Sequence, residues 1–461
     1  MTFDRLSPSG FLLFIDSIVL TVGGGLFWLV ISKLVSPDDI GLVAAVISLS
    51  FLISGIARLG NSLEIPILRE INREKAHLFG TLSLLEMLVH VAVIPVLLLV
   101  GVYYYNLGNA NELIMLAIFL LLSTGMAYIS KQALLGLLQN KMILIFDSIG
   151  VTSKFIIAIA LIHIGLGSFG LLSAITFQQA VVAVAFFLLC YRKIGFKISA
   201  FTSLKAIMSL AVGNITVKVS QLVITNFSVV FLALMGLDSA LVGIFYIVLM
   251  LIMIVSSFSQ SLATMAIPTS QISRTELSGK STRTGLSLTA PVLAVMLTSP
   301  YYLLSLINES YAVAEKPLII LALAVIPYIL TLNAVTKLNN LNDMRRLTVL
   351  GFLQLSIYFT SLIILTTYYG IIGTSVAILV TYIATAVPSL KWLGREAMKY
   401  TLITFGSIIL GWSLGLASSM LVDLEVVQLA IAAVSSFAVI IITKNITPTE
   451  ILSLFILKNN R

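Results

Sequence analysis

Apolar runs of about 20 residues, separated by short turns carrying charge, Gly, Asn or Pro, follow one another along the whole chain. A run of that length is what an α-helix needs to cross the hydrocarbon core of a bilayer. Fourteen runs fit. The first six lie near residues 11–32, 40–60, 78–103, 113–135, 142–162 and 170–191. The next six lie near 207–235, 241–267, 285–307, 317–336, 347–368 and 371–390, and a last pair near 401–421 and 426–443. The pattern predicts an all-α, polytopic membrane fold of about fourteen transmembrane helices.

The runs are not independent. Gly41 and Pro66 bracket a stretch of 24 residues, Gly243 and Pro268 bracket another of equal length at an offset of 202, and each Pro follows an Ile. Gly167-Ser-Phe-Gly170 returns as Gly370-Ile-Ile-Gly373 at an offset of 203. A near-constant offset predicts one six-helix unit used twice, an arrangement suited to transport between two lobes. The expected division is an N-terminal lobe over 1–200, a C-terminal lobe over 201–396, and an added helix pair with a tail over 397–461.

Composition agrees with the membrane reading: 59% of residues are hydrophobic, 10% are charged, and mean hydropathy is +1.10. Of the 27 Lys and Arg residues, all but four fall in the tails and in every second loop, which places those loops and both termini on the cytoplasmic side. Lys33 and Lys316 fall in outer loops, and Lys154 and Lys218 inside spans. The net charge of +8 is thereby spread over inner collars that meet anionic lipid headgroups, with no basic surface of the kind that binds nucleic acid. Asn308-Glu-Ser310 forms a sequon on an outer loop, a pattern frequent by chance.

Candidate chemistry is sparse. Cys190 is the only cysteine, and His77, His90 and His163 lack metal-ligand spacing, so neither a disulfide, a metal site nor a cofactor is expected. The outer loops are too short to build an enzyme site, and no nucleotide-binding loop is present. What remains are charges inside spans, each costly at bilayer depth. Lys218 shares a helical face with Asn214, Gln221 and Thr225, a polar stripe expected to line a cavity. Lys154 and Asp147 stand two turns apart on one face of the fifth span, too distant to bond each other, so each is expected to find a partner on another span. Glu86 and His90 form an i, i+4 pair open to two readings, a proton relay or an internal hydrogen bond. Arg58 and Glu64 flank the inner end of the second span, and Asp16 precedes Gly23-Gly24-Gly25 in the first. Asp16, Glu86, His90, Asp147, Arg58 and Glu64 are candidates for ion coupling or gating.

Leu34-Val-Ser-Pro-Asp-Asp-Ile-Gly41, Ala57-Arg-Leu-Gly60 and Leu68-Arg69 resemble the opening of the polysaccharide transporter family, the lipid-linked oligosaccharide flippases of the multidrug/oligosaccharidyl-lipid/polysaccharide (MOP) superfamily. Val242-Gly-Ile-Phe-Tyr246, Ile267-Pro268, Asn308-Glu-Ser-Tyr311 with Ala314, and Tyr369-Gly-Ile-Ile-Gly373 are similar to that family's pattern in the same order. The resemblance implies two six-helix lobes around a cavity, alternating access, and transfer of a polyprenyl-(pyro)phosphate-linked glycan to the outer leaflet, with the last two spans accommodating the lipid tail. Asn226 stands where family members often carry a charge, so a charged role there does not transfer.

The expected function is therefore a flippase of the cell membrane, with Lys218 and Lys154 attracting the substrate's phosphate and Asn214, Gln221 and Thr225 contacting phosphate or sugar. Its expected partners are the lipid-linked glycan, membrane lipids, and a glycan polymerase or glycosyltransferases. A cation-coupled multidrug exporter of the same superfamily is the alternative in transport, and a non-transporting component of a glycan assembly complex the alternative outside it. The charge pattern predicts that alkaline phosphatase fused after Lys33 or Lys316 in a bacterial host is active, and fused after Lys141 or Lys391 is inactive. Activity after Lys141 would overturn the orientation.

Overall fold

The computed structural model describes residues 8–57, 72–105, 111–198, 216–273, 278–341, 343–420 and 424–446. Arg58, Glu64 and Asn214 lie outside them. The described residues are helical apart from short turns. In order, the long helices are α1 Pro8–Ile31, α2 Pro37–Ala57, α3 Asn72–Tyr105, α4 Asn111–Gly136, α5 Asn140–His163 and α6 Gly167–Ile194. There follow α7 Thr216–Leu234, α8 Ser239–Ser273, α9 Ser278–Thr298, α10 Glu315–Asn340, α11 Met344–Leu393, α12 Arg395–Ser418 and α13 Glu425–Ile442.

By length and composition, 12 of the described helical segments suffice to cross a membrane. The fourteen runs map onto them through two differences. The 50 residues of α11 hold two runs, because Gly370 (φ 53°, ψ −130°) breaks the helix. Thr366 and Thr374 would stand about 12 Å apart along a straight helix, yet their hydroxyls are 2.9 Å apart, so the chain turns back on itself. The positive φ suits glycine. The ninth run corresponds to α9, whose Ser and Thr content keeps it outside the twelve, followed by the short helix Pro300–Ser305.

Local chemistry explains the helix starts. Ser36 Oγ accepts from the Asp39 backbone N–H at 3.2 Å and donates to Asp39 Oδ2 at 2.8 Å, with Pro37 at the first helical position of α2. The other oxygen of Asp39 accepts from the Ser168 N–H at 3.2 Å, so one carboxylate caps α2 and α6 together.

The described chain forms two compact units, one of residues 26–247 and 344–355, the other of 1–25, 248–343 and 356–461. In the first, α2 is the central helix, packed by α3, α4, α6 and α7. Its buried face is rich in Gly, Ala and Ser, which permits close helix approach where lipid provides no hydrophobic drive. The closest approach joins two repeat-related glycines. A Cβ on Gly41 would strike the Ser239 carbonyl and the Gly243 nitrogen, and a Cβ on Gly243 would strike the Pro37 carbonyl and Gly41. Pro37 and Ser239 are themselves 202 apart, so the contact is self-complementary, as at a two-fold axis.

In the second unit, α12 and α13 pack on each other and on α9. Gly411 and Gly415 are the small residues of a G-x-x-x-G pattern on α12, and added Cβ atoms there would crowd Ala432 and Ser436 of α13 and Ala294 and Thr298 of α9. Also within this unit, Gln260 of α8 donates to the Tyr328 hydroxyl of α10 at 2.6 Å, and Ser261 donates to Ser17 of α1 at 2.8 Å.

Gly41→Ala or Gly243→Ala is expected to lower stability by about 1–3 kcal/mol, read as a fall in the melting temperature of detergent-solubilised protein. Gly406→Ala, at a helical position with open space around the site of the new methyl, should not lower it. Equal melting of all three variants and the parent would contradict the crossing.

Candidate functional site

Helix α5 has its polarity reversed relative to a helix in water. Met142, Ile145, Ile149 and Ile156 are exposed, while Asn140, Ile143, Asp147, Gly150, Lys154 and Ala158 form the buried stripe. Surrounded by lipid, a helix turns its charges inward because hydrocarbon cannot solvate them. Gly150 lets this stripe approach α6, since a Cβ there would press on Val182 and Gln178.

Lys154 is 7% exposed, and its Nζ lies 4.3 Å from the centroid of the Phe27 ring on α1. Phe27 meets Phe155 and Trp28 edge-on at 5.3 and 5.4 Å, and Trp28 meets Tyr246 of α8 at 4.8 Å. Three helices thus build an aromatic wall beneath one ammonium group. Among the described residues no carboxylate comes within 4 Å of that Nζ. A ring face contributes about 2 kcal/mol or more to a desolvated cation, well below what removing an ammonium from water costs. The arrangement leaves Lys154 able to take an anion as its counter-charge.

Asp147, one face and two turns away, is satisfied separately. Lys131 Nζ on α4 donates to its Oδ2 at 2.6 Å, with the carboxylate side chain 6% exposed and the lysine side chain 24% exposed. The expectation that Asp147 and Lys154 bond elements other than each other matches this geometry. Sequence position alone groups Lys131 with the inner-end basic residues, because it stands only four residues before the expected end of its span. Its spacing from Asp147 across a short turn is the signal that points to the pair. The aromatic wall is likewise absent from the sequence expectations, although Phe27-Trp28 closely follows the Gly23-Gly24-Gly25 run.

On α7, Lys218 is exposed, and Gln221 and Thr225 are half-buried. The stripe expected from an even α-helical period does not continue. A π turn over Val223–Phe227 widens the helix and swings Thr225 out of line with Lys218 and Gln221. The Thr225 hydroxyl donates to the Gln221 and Leu222 carbonyls at 3.0 and 3.2 Å, and Asn226 Nδ2 donates to Leu222 O at 3.2 Å and Thr225 Oγ1 at 3.1 Å. Both side chains thus serve carbonyls at the disturbed turn. Ser220 joins α7 to α11 through Gln354 at 2.6 Å.

Glu86 and His90 are 2% and 0% exposed on α3. The His90 ring bridges Ser54 Oγ on α2, 2.9 Å from Nε2, and the Glu86 carbonyl, 2.8 Å from Nδ1. Asp16 is buried on α1 in the other compact unit from Lys218, its counterpart at the repeat offset. No group of three or more His, Cys, Asp or Glu side chains suited to a metal ion occurs among the described residues.

Removing one partner of the Lys131–Asp147 pair should cost more than removing both. Lys131→Met alone is expected to destabilise by about 3 kcal/mol, toward the lower end for a buried pair because the lysine is partly exposed, while Lys131→Met with Asp147→Leu returns near the parent. Thermal melting of the purified variants checks this, and additive losses in the double variant would refute it.

No family model matches the chain, and no curated protein matches its sequence. Solved structures do match. "Lipid II flippase MurJ, inward closed conformation" has a TM-score of 0.68 at 15% identity, with 94% of this chain and 98% of that one covered. The "MATE multidrug transporter DinF-BH", in a complex with a small molecule, has a TM-score of 0.58 at 14% identity, covering 84% and 95%. A "multidrug resistance MATE family transporter of the MOP superfamily" in an inward-facing conformation also has a TM-score of 0.58 at 14% identity, covering 87% and 96%. The protein is a multi-pass, all-α membrane protein with the fold shared by these lipid-flipping and drug-exporting transporters.

Proposed function

We propose that this protein is a flippase that carries a polyprenyl-(pyro)phosphate-linked oligosaccharide from the inner to the outer leaflet of the cytoplasmic membrane by alternating access. The observation that carries the reading is Lys154: a buried ammonium on an aromatic wall, with no carboxylate within 4 Å among the described residues. Such a site attracts a phosphate and repels a cationic drug. Phe27, Trp28 and Tyr246 add flat apolar surface beside the charge, suited to the first isoprene units or to a sugar face. In this reading Lys218 and Gln221, with Asn214 and Thr225, supply further polar contacts along α7. Asp16, Arg58, Glu64 and Asp147 serve coupling, gating or structure. The domain plan is two six-helix lobes over 1–200 and 201–396, with 397–461 accommodating the lipid tail, and both termini cytoplasmic. Glycosyltransferases or a glycan polymerase are the partners that would supply and consume such a substrate.

A cation-coupled multidrug exporter is the second reading, supported by the MATE structures that share the fold. It asks for a cavity that attracts cations, which Lys154 does not provide.

Lys154→Met keeps the length of the side chain and deletes its charge. Loss of a charge-assisted contact of about 1.5–3 kcal/mol predicts a fall of roughly 10- to 100-fold in delivery of surface glycan by cells that depend on this protein. Lys154→Arg should restore part of it at equal expression. Full delivery by Lys154→Met would sink the phosphate role, and a change in drug susceptibility with unaltered glycan delivery would favour the exporter.

A further inference from the structure

We propose that Ser54, Glu86 and His90 form a buried proton-binding site between α2 and α3, and that loading it is linked to movement of α2. The site does not depend on which substrate is carried, and it rests on the transport reading only for the work the proton would drive.

The hydrogen-bond geometry fixes the tautomer. A backbone carbonyl only accepts, so the His90 nitrogen 2.8 Å from the Glu86 carbonyl, Nδ1, carries a hydrogen. In the neutral ring Nε2 then holds the lone pair and accepts from the Ser54 hydroxyl 2.9 Å away. Proton uptake needs no movement of heavy atoms. The proton bonds to Nε2, which donates to Ser54 Oγ, and the serine hydroxyl turns its own hydrogen to a carbonyl three or four residues back, at Phe51 or Ser50. Glu86 Oε1 stands 3.7 Å from Nδ1, close enough to hold the opposite charge. As a coupled pair, Glu86 and His90 are net neutral with one shared proton. Hydrocarbon favours that neutral loading over a net charge.

The surroundings fit one occupant. Gly125 of α4 lies against the ring, and a Cβ there would come 2.7 Å from both Cε1 and Nε2, so the glycine makes the space the imidazole fills. Thr124 beside it turns its hydroxyl to the Leu120 carbonyl at 2.6 Å. The neighbouring elements bring few rival charges. Residues 40–57 of α2 contain no ionisable side chain. Of the ionisable groups on α4, Lys131 is paired with Asp147, Glu112 is exposed at the far end, and Tyr128 is half-buried. Those of α6, Cys190, Tyr191, Arg192 and Lys193, sit in its last two turns, and on α3 itself Lys75 and His77 sit near its start, about two turns or more before Glu86.

Movement enters through α2. This helix touches His90 through Ser54 and, three to four turns away, crosses α8 at Gly41 and Gly243. A tilt of α2 that parts the two glycines also draws Ser54 from Nε2 and opens a sealed cluster to water, so proton exchange and the crossing are linked.

The test uses full-length protein in liposomes, labelled with ¹⁵N-histidine, with His90→Gln to assign the signal. Expected is an Nδ1–H neutral ring that becomes doubly protonated as pH is lowered between about pH 8 and 5. One protonation state throughout that range would overturn the site, as would the opposite tautomer. For the linkage, hydrogen–deuterium exchange of α2 and of the start of α8, corrected for intrinsic rates, should change about five-fold or more on acidification of the parent and not of His90→Gln or Glu86→Gln. Equal responses in all three would refute the link even if the proton binds. Neither readout uses substrate, so a failed flippase reading leaves both intact.

Discussion

Hydrocarbon gives a polar group nothing to bond to, and the arrangement of this protein follows from that constraint. Every charged or hydrogen-bonding side chain placed within a span must be answered by another helix, by its own backbone, or by a ligand. Asp147 is answered by Lys131 on a neighbouring helix, and His90 by Ser54 and a carbonyl of its own turn. Thr225 and Asn226 are answered by carbonyls beside the π turn of α7. Lys154 has only an aromatic face. Ranked by how completely each is compensated, these groups divide into structural and functional ones, and the least compensated is the one assigned to substrate.

The second organising feature is the repeat. Close helix packing in lipid depends on small residues, and the repeat places one at the same register of α2 and α8. Because Gly41 and Gly243 occupy equivalent positions, each meets the other's preceding turn, and a single kind of contact serves both halves. The halves then differ in what they add. The second carries the π turn, the bend at Gly370 and the added pair α12–α13. The first carries the Lys154 wall, the Lys131–Asp147 pair and the Glu86–His90 cluster.

Much of this was legible in the linear chain. Span length is set by bilayer thickness, so an apolar run of 20 residues is readable without tertiary knowledge, and the helices appear where such runs stand. Burial of Lys154, Asp147, Glu86 and His90 was equally predictable, since a charge in a span has no favourable outward direction. The partner of Lys131 was less so. A lysine one turn from a helix end can snorkel to the interface or turn inward, and only the position of α5 decides between them.

Sequence by itself determined the all-helical class, the repeat, the caps at Ser36 and Asp39, and the list of buried charges, because all of these follow from local chemistry and from the properties of lipid. Tertiary structure alone decided which groups meet: Lys154 with Phe27, His90 with Ser54 and Gly125, and Gly41 with Gly243. It also decided that α7 breaks its period at Val223–Phe227. Pairing between helices depends on rotation about each axis and on depth, which side-chain packing over many residues sets together. No period along one helix records it.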